Sequence, residues 1–506
     1  MCGKSAGTQC QAPGGRKNIT MKLKELVDGL ELISMTADPN TEISGISYDS
    51  RKTEEGDLFV AVRGFETDGH RFVPKAIEKH AAVILCETPP ENGYPYVQVA
   101  DSRLALAVTS AALFGHPASG MRMIGITGTS GKTTVSTLLA QVLEETLGAK
   151  VGLIGTTGIR IGTETLPSDH TTPESYELQK LFAHMAESGC THVVMEVSSH
   201  ALELSRVAGI TFDTAVYTNL TEDHLDFHGT MERYAGAKRK LFSQCRCACI
   251  NMNDAWAPFM LEKVTCPTLL FGSGERADLR AKNTRLLSDR VCFEAEYDGQ
   301  EFPVELRIPG IFSVENALSV LAAGIAEGVN PQACAQALRH AHGVKGRLES
   351  VPTDGNYSIL IDYSHKPDAL EKVLRSLRPV TAGRLICLFG CGGDRDRLKR
   401  PIMGGIAAEN ADLVIITSDN PRTEDPETIL DEIEQGLKDS HTPYIRICSR
   451  VEAIHRAIDL ARDGDVILLA GKGHEDYQII GHEKHHMDER ELVAQYLRER
   501  ETETKP

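Results

Sequence analysis

The sequence predicts an α/β protein of three domains, and two observations carry that expectation. Along most of its 506 residues, short runs rich in Val, Ile and Leu alternate with amphipathic stretches. That is the signature of strand–helix–strand units feeding parallel sheets. A chain of this length also divides into about three domains by the usual size of a domain. With 41% hydrophobic and 25% charged residues, it has enough apolar side chains for several cores.

The first region, 21–118, reads as mixed α/β. Met21-Lys-Leu-Lys-Glu-Leu26 opens the first patterned helix, so residues 1–20 are expected to be a flexible extension. Strands are expected at 43–48, 83–86 and 96–99, with the run Gly56-Asp-Leu-Phe-Val-Ala61 after the first and a helix around 73–80. Asp49-Ser50-Arg51 at a strand end either caps and salt-bridges its turn or meets a ligand.

The second region, 119–345, opens with Thr127-Gly-Thr-Ser-Gly-Lys-Thr-Thr134 between an expected strand at 121–126 and a helix at 133–147. Backbone N–H groups of such a strand–turn–helix converge on an anion. Lys132 would reach the outer phosphates of a nucleotide, and the Thr133 hydroxyl a magnesium ion. The generic G-x-x-x-x-G-K-[ST] pattern is not met, because its first glycine would fall at Ile126. Further on, His170-Thr-Thr-Pro-Glu174 starts a helix with Pro173 in its first turn. The run Val193-Val-Met-Glu-Val-Ser-Ser-His200 is a buried strand that delivers Glu196 near the loop, as a magnesium contact or one half of a buried ion pair. Asn219, Asp223, His224, Asp226 and His228 crowd metal-competent groups into ten residues. Lys238 follows on a helix, and Asn316 stands at the start of an Ala-rich one.

The third region, 346–506, has the clearest doubly wound pattern, with strands expected at 358–362, 385–389, 413–417, 444–447 and 465–469. Polar clusters follow four of them: Asp362-Tyr-Ser-His365, Gly390-Cys-Gly-Gly-Asp-Arg395, Ser418-Asp-Asn-Pro-Arg422 and Ala470-Gly-Lys-Gly-His-Glu475. In a parallel sheet those strand ends share one edge, where ligands bind.

Bulk properties narrow the function further. A net charge of -17 argues against a nucleic-acid surface, so an anionic substrate would be captured by local Lys, Arg and helix N-termini. Thirteen cysteines without a framework of spacings fit reduced thiols in a cytoplasmic protein. Cys245, Cys247 and Cys249 alternate on one expected strand, but no partner pair follows to complete a zinc site. No apolar run approaches the ~18 residues that span a bilayer, and residues 1–20 hold no signal-peptide core.

With these motifs in place, the sequence resembles the Mur ligases, ATP-dependent amide-forming enzymes that build the peptidoglycan stem peptide. The resemblance runs from about residue 21 to the end and has motifs in all three regions. It implies an N-terminal domain for the UDP end of the substrate, a P-loop-type central ATPase domain and a Rossmann-like C-terminal domain, closing over the substrates. Gly128, Thr129, Ser130, Gly131, Lys132, Thr133 and Thr134 match the ATP-phosphate loop, with Ser130 where Asn is usual but still offering its N–H. Asn316, Arg347 and Asp362 match contacts to adenine, phosphate and ribose, and Ser313 replaces an Asn of the same motif. Asp49-Ser50-Arg51 and Asp68-Gly-His70 match uridine-end segments. Thr171, Thr172, Ser198 and Arg206 match residues that hold the muramoyl-dipeptide, while His170 and Leu204 stand where some members have Asn and Gln. Thr133, Glu196, His224 and a carbamylated Lys238 would hold Mg2+. The alternative for Lys238 is a solvated helix lysine beside Arg239 and Lys240.

The resemblance assigns Asp419-Asn-Pro-Arg422 to the amino-acid acceptor, with Arg395, Asn420, Gly471 and Glu475 as further contacts. Diaminopimelate carries a second amino-acid head whose carboxylate an Arg can grip bidentately, whereas the ε-ammonium of lysine would be repelled. Pairing of Arg422 with Glu424 or Asp425 is the alternative. The implied reaction joins meso-diaminopimelate to the D-Glu γ-carboxylate of UDP-N-acetylmuramoyl-L-Ala-D-Glu. An acyl phosphate forms from ATP, Lys132 and Mg2+ neutralise the charge, and His365 orients groups near the reacting centre. A monomer is expected. The alternatives are a lysine-adding ligase of the same family, a folylpolyglutamate synthetase-like ligase, and a nucleotide switch without ligase chemistry.

Overall fold

The computed structural model describes residues 20–64, 67–91, 93–168 and 170–503, so the extension expected at 1–20 lies outside them save for Thr20. The chain forms two compact units, Met1–Phe271 with Ala322–Val329, and Gly272–Leu321 with Asn330–Pro506.

Beside a short antiparallel pair, Met21–Lys22 with Glu42–Ile43, the first unit contains two larger sheets. The smaller runs in the order Leu32–Met35, Tyr96–Val99, Val83–Cys86, Asp57–Val60, Gly45–Ser47, and is parallel after its first pair. Leu58, Val60, Leu85 and Val97 bury one face against Leu23, Leu26 and Leu106. The helix Ser102–Leu113 that covers it begins at Asp101, whose carboxylate accepts the N–H groups of Arg103 and Leu104.

The larger sheet of this unit runs Glu164–Leu166, Gly158–Ile161, Val151–Gly155, His192–Glu196, Arg122–Thr127, Phe212–Tyr217, Cys245–Asn251, Thr268–Gly272. From Val151–Gly155 onward it is parallel, and its central strands are buried on both faces, which is why they read as unbroken apolar runs. Arg122–Thr127 is paired on both sides, with Glu196 opposite Ile126 and Tyr217 opposite Thr127. The residues that follow these three strands therefore share one edge.

In the second unit, three antiparallel strands, Leu279–Leu286, Val291–Tyr297 and Gln300–Leu306, precede the main sheet. That sheet runs Glu349–Val351, Ser358–Asp362, Val466–Ala470, Leu385–Phe389, Leu413–Ile416, Tyr444–Arg446, parallel after its first pair. All four polar clusters named above follow adjacent strands on its C-terminal edge. Ile359, Ile386, Ile415 and Ile467 pack against Ala453, Ile454, Ala457 and Ile458 of the helix Arg450–Asp459.

Two local expectations are corrected. Pro173 does not lie in the first helical turn: the helix is Ser175–Glu187, and Glu174 caps it by accepting the Ser175 N–H. Asn316 lies a turn inside the helix Phe312–Ala326, which begins earlier than expected. Among the described residues, no helix is long and apolar enough to cross a membrane.

Arg450 and Glu489 are both 0% exposed and paired at 2.8 Å, and Arg450 also donates to the Ala470 carbonyl at the end of a central strand. Arg450 Nη1 and Glu489 Oε2 have no hydrogen-bond partner, so the pair is incompletely solvated by the protein. Removing one buried partner costs about 3–5 kcal/mol, whereas replacing both with apolar residues costs far less. Arg450→Met should therefore lower the unfolding midpoint markedly, and Arg450→Met with Glu489→Leu should recover most of the loss. A double variant as unstable as the single would locate the effect in the Ala470 contact instead.

Candidate active site

Most of the expected site residues fall into two clusters, one in each unit. In the first, Thr127 ends its strand and Gly128 turns the chain at φ +152°, where a Cβ would come within 1.9 Å of the Thr218 hydroxyl. Gly131, at φ +83°, caps the helix Lys132–Leu147. The segment after the neighbouring strand supports this turn: Thr218 Oγ1 donates to the Ser130 carbonyl at 2.7 Å, and the Thr129 N–H to the Asn219 carbonyl at 2.9 Å. The Ser130 N–H is donated to Asn219 Oδ1 at 3.0 Å. That N–H, expected to remain on offer to phosphate, is already engaged by the neighbouring side chain.

Lys132 folds over the loop, its Nζ donating to the carbonyls of Gly128 and Thr129 at 2.9 Å each. Lys238 reaches the same Gly128 carbonyl at 2.7 Å from the helix Met231–Arg239. Only 2% of Lys238 is exposed, which excludes a solvated surface lysine. Its ammonium lies 4.6 Å from the centre of the Tyr234 ring. Burial, then the charge of Lys132, holds the Lys238 pKa well below the ordinary lysine value. Lys238 is thereby biased toward a neutral, nucleophilic amine.

Glu196 accepts from the Thr156 N–H at 2.9 Å and from its hydroxyl at 3.1 Å. Gly155 makes room for it, since a Cβ there would stand 2.3 Å from Glu196 Oε1. The Thr156 hydroxyl also meets Thr171 at 3.0 Å. Thr172 Oγ1 donates to the Glu196 carbonyl at 2.8 Å and accepts the Ser198 N–H at 3.1 Å. Arg206 donates to the Thr172 carbonyl at 2.9 Å and lies 3.3 Å from Glu174. Thr171 is thus joined to the Glu196 carboxylate through Thr156, while Thr172, Ser198 and Arg206 are linked to the main-chain carbonyl of the same residue.

His224 is half exposed at φ +52°, its ring edge-on to His200 at 4.8 Å. Burial pushes the pKa of the nearby His228 down to about 4. Ser50 is buried, while Arg51 is an exposed fork on Asp49, so the turn-bracing reading holds for that pair.

Among the described residues, no group of three His, Cys, Asp or Glu is placed to hold a metal. Magnesium does not need one, because it keeps several waters and takes one or two carboxylates plus substrate phosphates. The buried Glu196 carboxylate, in its glycine-made recess, and the Thr133 hydroxyl fit that requirement. Cys245 of the alternating cysteines lies 3.5 Å from Cys266, sulfur to sulfur.

The second cluster lines the C-terminal edge of the other unit's sheet. Asp362 ends its strand and accepts the N–H groups of Leu348 at 2.8 Å and Ser364 at 2.9 Å. Burial raises its pKa. Arg347 stacks over the Tyr363 ring, and His365 Nδ1 pairs with the Tyr363 carbonyl at 2.8 Å. Gly346 is a required glycine: at φ +71°, a Cβ would press within 2.0 Å of the His474 nitrogen. Gly471 runs at φ +111° against Asp419.

Arg422 is held by its backbone in the left-handed region, at φ +52°. Its N–H donates to Ile479 and its carbonyl accepts from Gly481, both on the hairpin Tyr477–Ile480 with Glu483–His486. The guanidinium donates to the Gly393 carbonyl at 2.8 Å. It does not pair with Glu424, which the fully buried Arg400 occupies at 2.9 Å, driving that carboxyl down to about 2. Arg395 is exposed nearby, and Asn420 donates to Glu475 Oε2 at 2.8 Å. Arg400 carried no sequence signal, because a lysine–arginine pair at a helix start reads as solvated.

Comparison with known proteins finds relatives that match over 95% of this chain. Family models match at residues 42–116 (Mur ligase family, catalytic domain), 126–324 (Mur ligase middle domain) and 346–473 (Mur ligase, glutamate ligase domain). The UDP-N-acetylmuramoyl-L-alanyl-D-glutamate–2,6-diaminopimelate ligase 1 of Clostridium acetobutylicum is 44% identical over 95% of this chain and 100% of its own. The ligase of that name from Clostridium botulinum is 43% identical over the same shares. A solved structure of such a ligase superposes with a TM-score of 0.74 at 33% identity, covering 95% of this chain and 99% of that one. A folylpolyglutamate synthase of Mycobacterium tuberculosis shares the fold, with a TM-score of 0.57 at 17% identity over 73% of this chain and 92% of its own.

The buried Lys238 makes a pH-dependent prediction. Between its lowered folded pKa and the ordinary 10.5, the unfolded chain binds a proton that the folded chain lacks, so stability rises with pH across that window. In carbonate-free buffer, the stability of the wild type relative to Lys238→Met should climb as the pH rises toward the ordinary lysine value, by at most about 1.4 kcal/mol per pH unit. Parallel curves in denaturant unfolding would contradict the lowered pKa.

Proposed function

This chain belongs to the Mur ligase family, and we propose that it joins meso-diaminopimelate to the D-Glu γ-carboxylate of UDP-N-acetylmuramoyl-L-Ala-D-Glu in making peptidoglycan precursors, splitting ATP to ADP and phosphate. The observation that carries this reading is the convergence of Lys132 and Lys238 on the Gly128 carbonyl, next to a strand ending in Glu196, whose carboxylate Thr156 holds, in a protein similar over 95% of its length to ligases of that name.

The proposed order of events begins with ATP on the loop Gly128 to Thr134. Lys132 swings from the loop carbonyls to the outer phosphates, exchanging neutral acceptors for charged ones. Asn316, Arg347 and Asp362 take the adenine, phosphate and ribose. Ser50, Thr171, Thr172, Ser198 and Arg206 hold the UDP-linked dipeptide so that its carboxylate attacks the γ-phosphorus in line. The acyl phosphate is then attacked by the amino group of the acceptor, and the tetrahedral intermediate expels phosphate. Magnesium, when bound, draws charge from the phosphoryl oxygens. Thr133, Glu196, His224 and Lys238 as its carbamate would hold it. His365 orients groups near the reacting centre.

Arg422, Arg395, Asp419, Asn420, Gly471 and Glu475 bind the acceptor, with Arg422 on its distal carboxylate. In this reading, residues 21–118 serve the UDP end, 119–345 ATP and 346–506 the acceptor, and the protein works as a cytoplasmic monomer. Incubation with the UDP-dipeptide, ATP and each acceptor tests the proposal. Tripeptide and ADP should form with meso-diaminopimelate and far more slowly with L-lysine, and faster reaction with lysine would refute the specificity. Arg422→Ala should raise the diaminopimelate KM about 10- to 100-fold, the worth of a charged hydrogen-bonded contact, with the ATP KM unchanged. An unaltered diaminopimelate KM would remove Arg422 from the site.

A further inference from the structure

We infer that Lys472 is a positioning residue for the acceptor site, fixing the orientation of Asn420 and Glu475 through its wholly buried side chain. The inference rests on the reading of those two residues as acceptor contacts.

Lys472 follows the strand Val466–Ala470, between two glycines that the packing requires. A Cβ on Gly471 would stand 2.8 Å from Asp419 Oδ2, and one on Gly473 would stand 2.5 Å from the Tyr363 Cβ. With the backbone pinned on both sides, the lysine is directed inward, and its exposure is 0%. A buried ammonium is costly unless it is paired and hydrogen-bonded. Here Nζ donates to Asn420 Oδ1 at 3.1 Å and to Glu475 Oε2 at 3.1 Å, and faces the Tyr477 ring at 5.8 Å.

These contacts decide which way an amide points. A side-chain amide can turn over, exchanging its oxygen and nitrogen. Asn420 Oδ1 receives two donors, Lys472 Nζ and the Ile479 N–H at 2.9 Å. A flipped amide would set its NH2 against both. Nδ2 is therefore held toward Glu475 Oε2, at 2.8 Å. Because Oε2 takes both the lysine and the amide, Glu475 keeps Oε1 for a ligand, and Asn420 keeps its second N–H. An N–H donor beside a carboxylate oxygen is complementary to the zwitterionic head of an amino acid, whose carboxylate accepts and whose ammonium donates. Lys472 touches neither group of the acceptor. It acts by keeping this donor–acceptor pair from turning over and by compensating the Glu475 charge.

Steady-state kinetics on the full chain test this with Lys472→Met, Asn420→Ala and the double variant. Lys472→Met should raise the diaminopimelate KM by about tenfold or more, with kcat at saturation and the KM values for ATP and UDP-dipeptide nearly unchanged. The double variant should fall short of the product of the two single effects, since the lysine acts through the asparagine. Should the Met variant not fold, Lys472→Gln, which keeps an N–H donor without the charge, enters the same comparison. Strictly multiplicative effects, or a uniform loss in kcat and all three KM values, would overturn the positioning role and leave the acceptor site standing. An unchanged diaminopimelate KM in Asn420→Ala would instead overturn the acceptor-site reading beneath it.

Discussion

Two lysine side chains share the carbonyl of Gly128, and much of the first unit is arranged so that they can. Like charges at one neutral acceptor repel, and burial removes the water that would screen them. The arrangement persists because the parallel strand order sets the loop, Glu196 and Thr218 on one sheet edge, while the helix Met231–Arg239 delivers Lys238 from outside the sheet. Gly128 accommodates the Thr218 hydroxyl where any side chain would collide. Burial and that repulsion push Lys238 toward its neutral form, and the Lys132 ammonium is the charge that a nucleotide's phosphates would meet. It also answers how a chain of net charge -17 concentrates a polyanion: the capture is local, within a few ångströms of one carbonyl.

On the proposed function, the second unit meets a different demand, that of holding a zwitterion. Its four polar loops could not by themselves keep their geometry, since each follows its own strand. Three of them are tied by side chains buried outright: Arg400 to Glu424, Glu432 and the Gly392 carbonyl, and Arg450 to Glu489 and the Ala470 carbonyl. Such pairs add little net stability, yet they make the loop arrangement unique, because any displacement strands a buried charge.

Most of the architecture was legible from the chain, for a physical reason. Parallel strands buried on both faces are nearly continuous apolar runs, and their ends are marked by polar turns, so 358–362 and 385–389 could be bounded closely. The loop at Gly128 was legible because glycine, lysine and threonine at that spacing have few other uses. Other features were set by tertiary packing. Lys238 sits beside Arg239 and Lys240 and looks solvated, and only Tyr234 and the loop above it make it buried. Lys472, between two glycines, looks like an exposed turn. The N–H of Ser130 looked free until Asn219, eighty-nine residues on, was seen to hold it. The antiparallel strands at 279–306 do alternate, as at Val291, Phe293 and Ala295, but that period stands among strands that mostly pair in parallel.

The left-handed backbone of Arg422 has an evolutionary consequence. Its N–H and carbonyl are both committed to the adjoining hairpin, so the conformation survives a change of side chain. Asparagine, aspartate and glycine enter that region readily, while other residues cost roughly 1–2 kcal/mol there. A lineage drifting toward a different acceptor would therefore find its accessible single steps at this position confined to small, uncharged or acidic residues. With Arg422 gripping the acceptor as proposed, the geometry of one turn narrows the routes by which acceptor preference could have diverged.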